Sequence, residues 1–99
     1  MKRLDPISLE IISNALRSIT DETYAALMKS AYSTNIKERH DHSTAIMDRS
    51  GRLVAQAVES LPIHIASMHG LMHALLDKFG DNIHPGDLFI ANDPHVAGG

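Results

Sequence analysis

The sequence predicts an α+β fold, and three patterns predict it. Apolar or small residues at Ile12, Ala15, Leu16, Ile19, Thr23, Ala26, Leu27 and Ala31 recur at steps of three and four, the period of a helix. Two alternating segments flank Asp48-Arg49-Ser50-Gly51, which has the composition of a hairpin turn. A second helical stripe follows at Met68, Met72, Leu75, Leu76 and Phe79. Long helix, β-hairpin, second helix and a short strand, in that order, describe an α+β arrangement. The 99 residues suffice for one small domain with a modest core. Because the chain stops at Gly98-Gly99, straight after a polar loop, 1–99 is expected to be an incomplete piece of a larger α+β domain.

Each element has a local reason. Asp5 is a capping residue and Pro6 suits the first helical position, so a helix is expected from about Pro6 to Ala31. Glu10, Asn14, Arg17, Asp21 and Lys29 are expected on its wetter faces, and Tyr32-Ser33-Thr34-Asn35 ends the pattern. Strands are expected over Ser43–Met47 and Arg52–Ala57, with Gly51 at positive φ in the turn between them. Pro62 pushes Leu61 towards extended backbone, and Ile63-His64-Ile65 is ambiguous. Lys78 and Gly80 stop the second helix. His84-Pro85-Gly86-Asp87 reads as a turn and Leu88–Ala91 as a short buried strand.

Composition narrows the function classes. A formal net charge of −3 gives no reason to expect nucleic acid or an anionic membrane as partner. With no cysteine there is no disulfide, no thiolate zinc site and no cysteine nucleophile. No run of about 18 apolar residues exists, and Leu4-Asp5-Pro6 interrupts any leader-like start, so a cytoplasmic location is expected. Seven scattered histidines are the unusual count.

The chemistry is concentrated in Lys37-Glu38-Arg39-His40-Asp41-His42-Ser43, where helix gives way to strand. In an extended segment His40 and His42 face one way and Asp41 the other, so these neighbours do not make a compact three-ligand site. Asp41 can supply one carboxylate to a divalent metal completed by distant His and Asp residues; the alternative is a solvated loop. His69 and His73 share a helix face, but Gly70 stands where a metalloprotease has its glutamate, and His73 with Asp77 repeats the same spacing, so a wet helix face is the better reading. His64, between two isoleucines, is either a hydrogen-bonded core histidine or a proton-handling group in a pocket. Asn92-Asp93-Pro94-His95 with Gly98-Gly99 is either a functional loop or an ordinary Asp-Pro turn, and its glycines fit no phosphate-binding loop.

Taken together, several segments resemble the N-terminal part of the hydantoinase B/oxoprolinase family. They are Asp5-Pro6-Ile7-Ser8-Leu9-Glu10, Asn35 to Ser43, Asp48 to Ala57, Leu61-Pro62-Ile63-His64-Ile65, Pro85-Gly86-Asp87 and Asn92 to Gly99, in order and nearly throughout the chain. The resemblance implies the truncated leading part of a metal-dependent subunit which, with a hydantoinase A-type ATP-using subunit in a hetero-oligomer, hydrolyses a cyclic amide such as a hydantoin, oxoproline or lactam. The metal would be Zn, Mn or Fe, and ATP would act through the partner. The same resemblance allows an acetone- or acetophenone-type carboxylase subunit, and a non-catalytic truncated product packing on a partner is the competing class. By resemblance Asp41 is the metal ligand, His64 and Asp93 are catalytic, and His40, His42, Asn92 and His95 contact substrate. The family's further ligands follow its double glycine. Where the family has Arg-Asp-aromatic-Ser this chain has His40-Asp41-His42-Ser43, and His95 replaces an aromatic residue after Asp-Pro; both changes bear on the pocket lining and hence the substrate.

Overall fold

A computed structural model describes residues 3–95; Val96, Ala97, Gly98 and Gly99, which close the expected functional loop, lie outside the described residues. The fold is α+β, with a long helix, a two-stranded antiparallel sheet and a further helix.

Helix α1 spans Pro6–Ser30. Its start is built as expected: the Asp5 carboxylate accepts the Ser8 N–H at 2.8 Å and the Ser8 hydroxyl at 3.0 Å, with Pro6 in the first turn. Ala31 returns to extended backbone and ends it. The chain then turns helical again for one turn, α2, Thr34–Lys37, where a plain break was expected. Its bonds are local: Lys37 N–H and Glu38 N–H reach the carbonyls of Ser33 and Thr34.

Strands β1 (Ala45–Met47) and β2 (Leu53–Gln56) form the hairpin, shorter than expected. The ladder frays at Thr44, whose N–H turns to the Ser60 hydroxyl at 3.3 Å, although Ala57 N–H still reaches the Thr44 carbonyl at 3.1 Å. Ala45 pairs with Gln56, Ile46 with Ala55 and Met47 with Leu53, which leaves Val54 as a bulge. Gly51 has φ 81°, the left-handed turn position expected of it. Asp48 fastens the turn by accepting the N–H groups of Ser50 and Arg52 and the Arg52 Nε–H at 2.9 Å. The Arg52 and Ser50 bonds hold the Asp48 carboxyl below its ordinary range.

Helix α3 spans Pro62–Phe79, so Ile63-His64-Ile65 is its first turn. Gly80, at φ 47°, ends it and gives its N–H to Leu76. The segment expected as a third strand, Leu88–Ala91, is not one. It has no ladder partner in the two-stranded sheet, and Leu88 and Ile90 are 96% and 100% exposed. An apolar run becomes a strand only when a sheet edge accepts its backbone.

The centre of the fold is small and partly polar: Thr20, Tyr24, His42 and Ala57 are buried. Helix α1 therefore rests on the line Leu16, Thr20 and Tyr24, which shares only Leu16 with the apolar stripe, whose Ile12, Ile19 and Leu27 are exposed. The seam is polar because the hairpin offers hydroxyls and amides. Thr44 Oγ1 donates to the Thr20 carbonyl at 2.8 Å, and Asp21, expected on a wet face, is half-buried and accepts the Val58 N–H at 2.9 Å.

Candidate functional site

The polar cluster leaves α2 through a turn that the strand pattern did not foresee. His40 has φ 55°, and His42 N–H closes back on the His40 carbonyl at 2.9 Å around Asp41. Asp41 N–H is held by the Asn35 carbonyl at 2.8 Å. The simple alternation expected for residues 40 to 42 is thereby broken, and the three side chains go to three different places.

His42 goes inside. It is 6% exposed, and its ring stacks on Tyr24 with centroids 3.9 Å apart. Its Nε2 lies 3.1 Å from the Tyr24 carbonyl, which can only accept, so Nε2 carries the proton. His42 Nδ1 is then a buried acceptor without a partner among the described residues.

His40 remains half-buried beside the same tyrosine. Its carbonyl accepts the Tyr24 hydroxyl at 3.3 Å, and its Nδ1 lies 3.8 Å from a Glu59 carboxylate oxygen. Burial first, and then the nearby Glu59 charge, push the Tyr24 hydroxyl pKa up.

Asp41 goes to the surface and meets α3. Its Oδ1 lies 3.2 Å from His64 Nε2, and its side chain is 54% exposed. His64 sits in the first turn of α3, which Pro62 starts and the extended Leu61 aims. The other ring nitrogen, Nδ1, is 2.8 Å from Ser43 Oγ. That hydroxyl also accepts the Leu61 N–H at 2.9 Å. A continuous polar chain thus runs from the Leu61 amide through Ser43 and His64 to Asp41. Residues 41 and 64 were singled out on the sequence separately; the fold brings them into contact. Ser43 and Glu59 were not assigned roles. Ser43 was visible as the hydroxyl closing the cluster, but nothing in the spacing tied it to a residue 21 positions on.

The second cluster stays apart. Asn92, Asp93 and His95 are exposed, and Asp93 folds onto its own loop by accepting the His95 N–H at 2.9 Å. Among the described residues no hydrogen bond or ion pair joins this loop to Asp41 or His64. A cavity of about 290 Å³ lies between α3 and residues 89–93, lined by Leu71, Leu75, Phe79, Phe89 and Asp93. His69 and His73 pack edge to face on the exposed side of α3, with centroids 4.4 Å apart.

As a metal donor set the described residues are partial. No three His, Cys, Asp or Glu side chains among them converge. Asp41 offers one possible donor: one oxygen meets His64 at 3.2 Å, and the other has no partner among the described residues. No described helix is long and apolar enough to cross a membrane.

Comparison with known proteins bears on this arrangement. A family model described as hydantoinase B/oxoprolinase matches residues 5–99. An uncharacterized protein of Methanocaldococcus jannaschii is 40% identical over 96% of this chain and 17% of its own length. A 5-oxoprolinase of Saccharomyces cerevisiae is 38% identical over 96% of this chain and 7% of its own length. A caprolactamase subunit beta of Pseudomonas jessenii is 33% identical over 99% of this chain and 17% of its own length. The chain thus spans less than a fifth of the length of the curated relatives it matches. No solved structure matches it.

Proposed function

Since the chain belongs to the hydantoinase B/oxoprolinase family, we propose that it is the leading part of a metal-dependent subunit that opens a cyclic amide with the help of an ATP-using partner subunit. The relatives named 5-oxoprolinase and caprolactamase subunit beta support a lactam-type ring as substrate, and the second of those names supports a multi-subunit enzyme. The observation that carries the reading is the Asp41–His64 contact at 3.2 Å, at the edge of a fold that leaves the Asp41 side chain about half exposed.

Asp41 would give its other oxygen to a divalent ion, with donors from outside the described residues completing the set. A hard or borderline ion such as Zn, Mn or Fe accepts a carboxylate oxygen readily. A bound ion of this kind polarises an amide carbonyl and lowers the pKa of its water towards neutrality. His64 holds Asp41 in one rotamer through the Nε2 contact, as partners behind a metal carboxylate commonly do. Its ring also gives the site a group that can hold or release a proton beside the opening amide. We assign His40, half-buried at the same turn, and the exposed Asn92 and His95 to substrate, and the exposed Asp93 to catalysis; His42, expected to contact substrate, is buried and supports them from inside.

The test is Asp41→Asn in the full-length protein. Asparagine keeps a carbonyl oxygen that can accept from His64 Nε2, so the local geometry survives while the charge is lost. The expected result is loss of bound metal and of ring opening, with an unchanged melting curve. His40→Gln should retain its metal. A variant lacking the Asp41 carboxylate that binds metal as well as the parent overturns the assignment.

A further inference from the structure

We propose that Ser43 is a positioning residue that fixes His64 in its Nε2–H tautomer and so aims that proton at Asp41. The inference deepens the reading of Asp41 and His64 given above and rests on it for its functional meaning.

The argument is one of hydrogen-bond direction. A backbone N–H can only donate, so at 2.9 Å from Leu61 N the Ser43 oxygen is an acceptor. The Ser43 hydroxyl then has its single proton free for His64 Nδ1, 2.8 Å away. A neutral imidazole whose Nδ1 accepts must carry its proton on Nε2. Nε2 in turn lies 3.2 Å from Asp41 Oδ1, a carboxylate that can only accept. With this assignment every donor from Leu61 to Asp41 meets an acceptor. The opposite tautomer sets a bare nitrogen lone pair against the carboxylate and leaves the serine proton without its partner.

The placement has a structural cause. Helix α3 has no capping side chain of its own at Leu61. Ser43, reaching across from the strand side, serves the Leu61 N–H and the residue three positions on with one oxygen. It does across the fold what a capping box does within a helix. Building the first turn of α3 and choosing the tautomer of His64 are therefore the same event. A second consequence follows for the metal. His64 Nε2 is occupied as a donor and offers no lone pair to an ion, which leaves ligation to Asp41.

The experiment uses the full-length protein with 15N-labelled histidine rings. Two-bond ring correlations report the tautomer, and His64→Gln assigns the signals. The parent should show a single Nε2–H pattern for the neutral His64 ring. Ser43→Ala should lose it, with the Nδ1–H form appearing beside it, while Ser43→Thr, which restores a hydroxyl, should regain the single pattern. A parent ring protonated on Nδ1, or an alanine variant with the parent's pattern, overturns the proposal. So does labelling of Ser43 by a phosphonofluoridate, which would make it a nucleophile. Failure of the metal reading is separable: a parent protein that binds no metal removes that reading while leaving the ring spectra to decide on Ser43. Should Ser43→Ala not fold, the threonine variant and the parent spectrum still decide.

Discussion

Replacing Gly51 by alanine separates two physical costs that meet at one atom. The backbone there has φ 81°, and the left-handed region costs a non-glycine residue about 1–2 kcal/mol. The added methyl would also lie 3.2 Å from Met72 Cγ, 3.5 Å from His73 Nε2 and 3.6 Å from a Leu76 methyl. Only the first of these is tighter than ordinary contact, and Met72 is flexible, so about 1 kcal/mol is expected from it, the low end of overpacking. The sum is about 2–3 kcal/mol of lost stability. In urea, with a slope of about 1–2 kcal/mol/M, the midpoint should fall by about 1–3 M. A double-mutant cycle with Met72→Ala divides the total. The coupling should be about 1 kcal/mol, and the remainder should persist when Met72 is gone. If Gly51→Ala unfolds at the parent's midpoint, the turn does not hold the left-handed conformation. If the coupling is zero, the hairpin tip does not rest on α3.

Three further outcomes are expected. His42→Gln should cost about 1–3 kcal/mol in denaturant unfolding, because the stack on Tyr24 and its buried packing are lost; metal per folded chain should stay at the parent's level, and a loss there would place His42 in the site itself. Asp48 has a lowered folded-state pKa, chiefly from the Arg52 and Ser50 backbone bonds, so its contribution is complete above the ordinary aspartate pKa and vanishes as pH falls through the lowered one. Asp48→Asn should accordingly flatten the acid limb of the stability–pH curve, and an unchanged limb would contradict this. The 99-residue chain by itself should open no hydantoin or oxoproline, since among the described residues no three His, Cys, Asp or Glu side chains converge to hold a metal; metal- and ATP-dependent product above a protein-free blank would refute it.

The fold was legible where a local signal was sufficient. Asp5-Pro6 marks the start of α1, Gly51 the hairpin and Gly80 the end of α3, because capping and positive φ depend on single residue types. The face of α1 was not legible. Ile12, Ile19 and Leu27 of its apolar stripe are exposed, whereas the hairpin docks along Thr20 and Tyr24, with Leu16 the one position shared, through hydroxyls that no hydropathy pattern weights. Leu88–Ala91 misled in the opposite direction, since its composition suits a strand but no sheet edge receives it. At the site, Asp41 and His64 could be named individually. Their contact could not, because it depends on the left-handed His40, a conformation the sequence does not announce for a histidine, and on where Pro62 starts α3.

The hydroxyl seam between α1 and the hairpin also sets how this chain responds to temperature. Separating apolar surfaces raises the heat capacity, whereas exposing polar groups lowers it. Opening the contact of Thr44 with Thr20, and of Val58 with Asp21, exposes mainly peptide and hydroxyl groups. The local opening should therefore carry a small heat-capacity change and a favourable enthalpy of closure. Cooling, which weakens apolar docking, should leave this joint as firm as it was. Helix α1 should stay registered on the hairpin, and Asp41 beside α3, at temperatures where an oil-filled joint of the same size would begin to loosen.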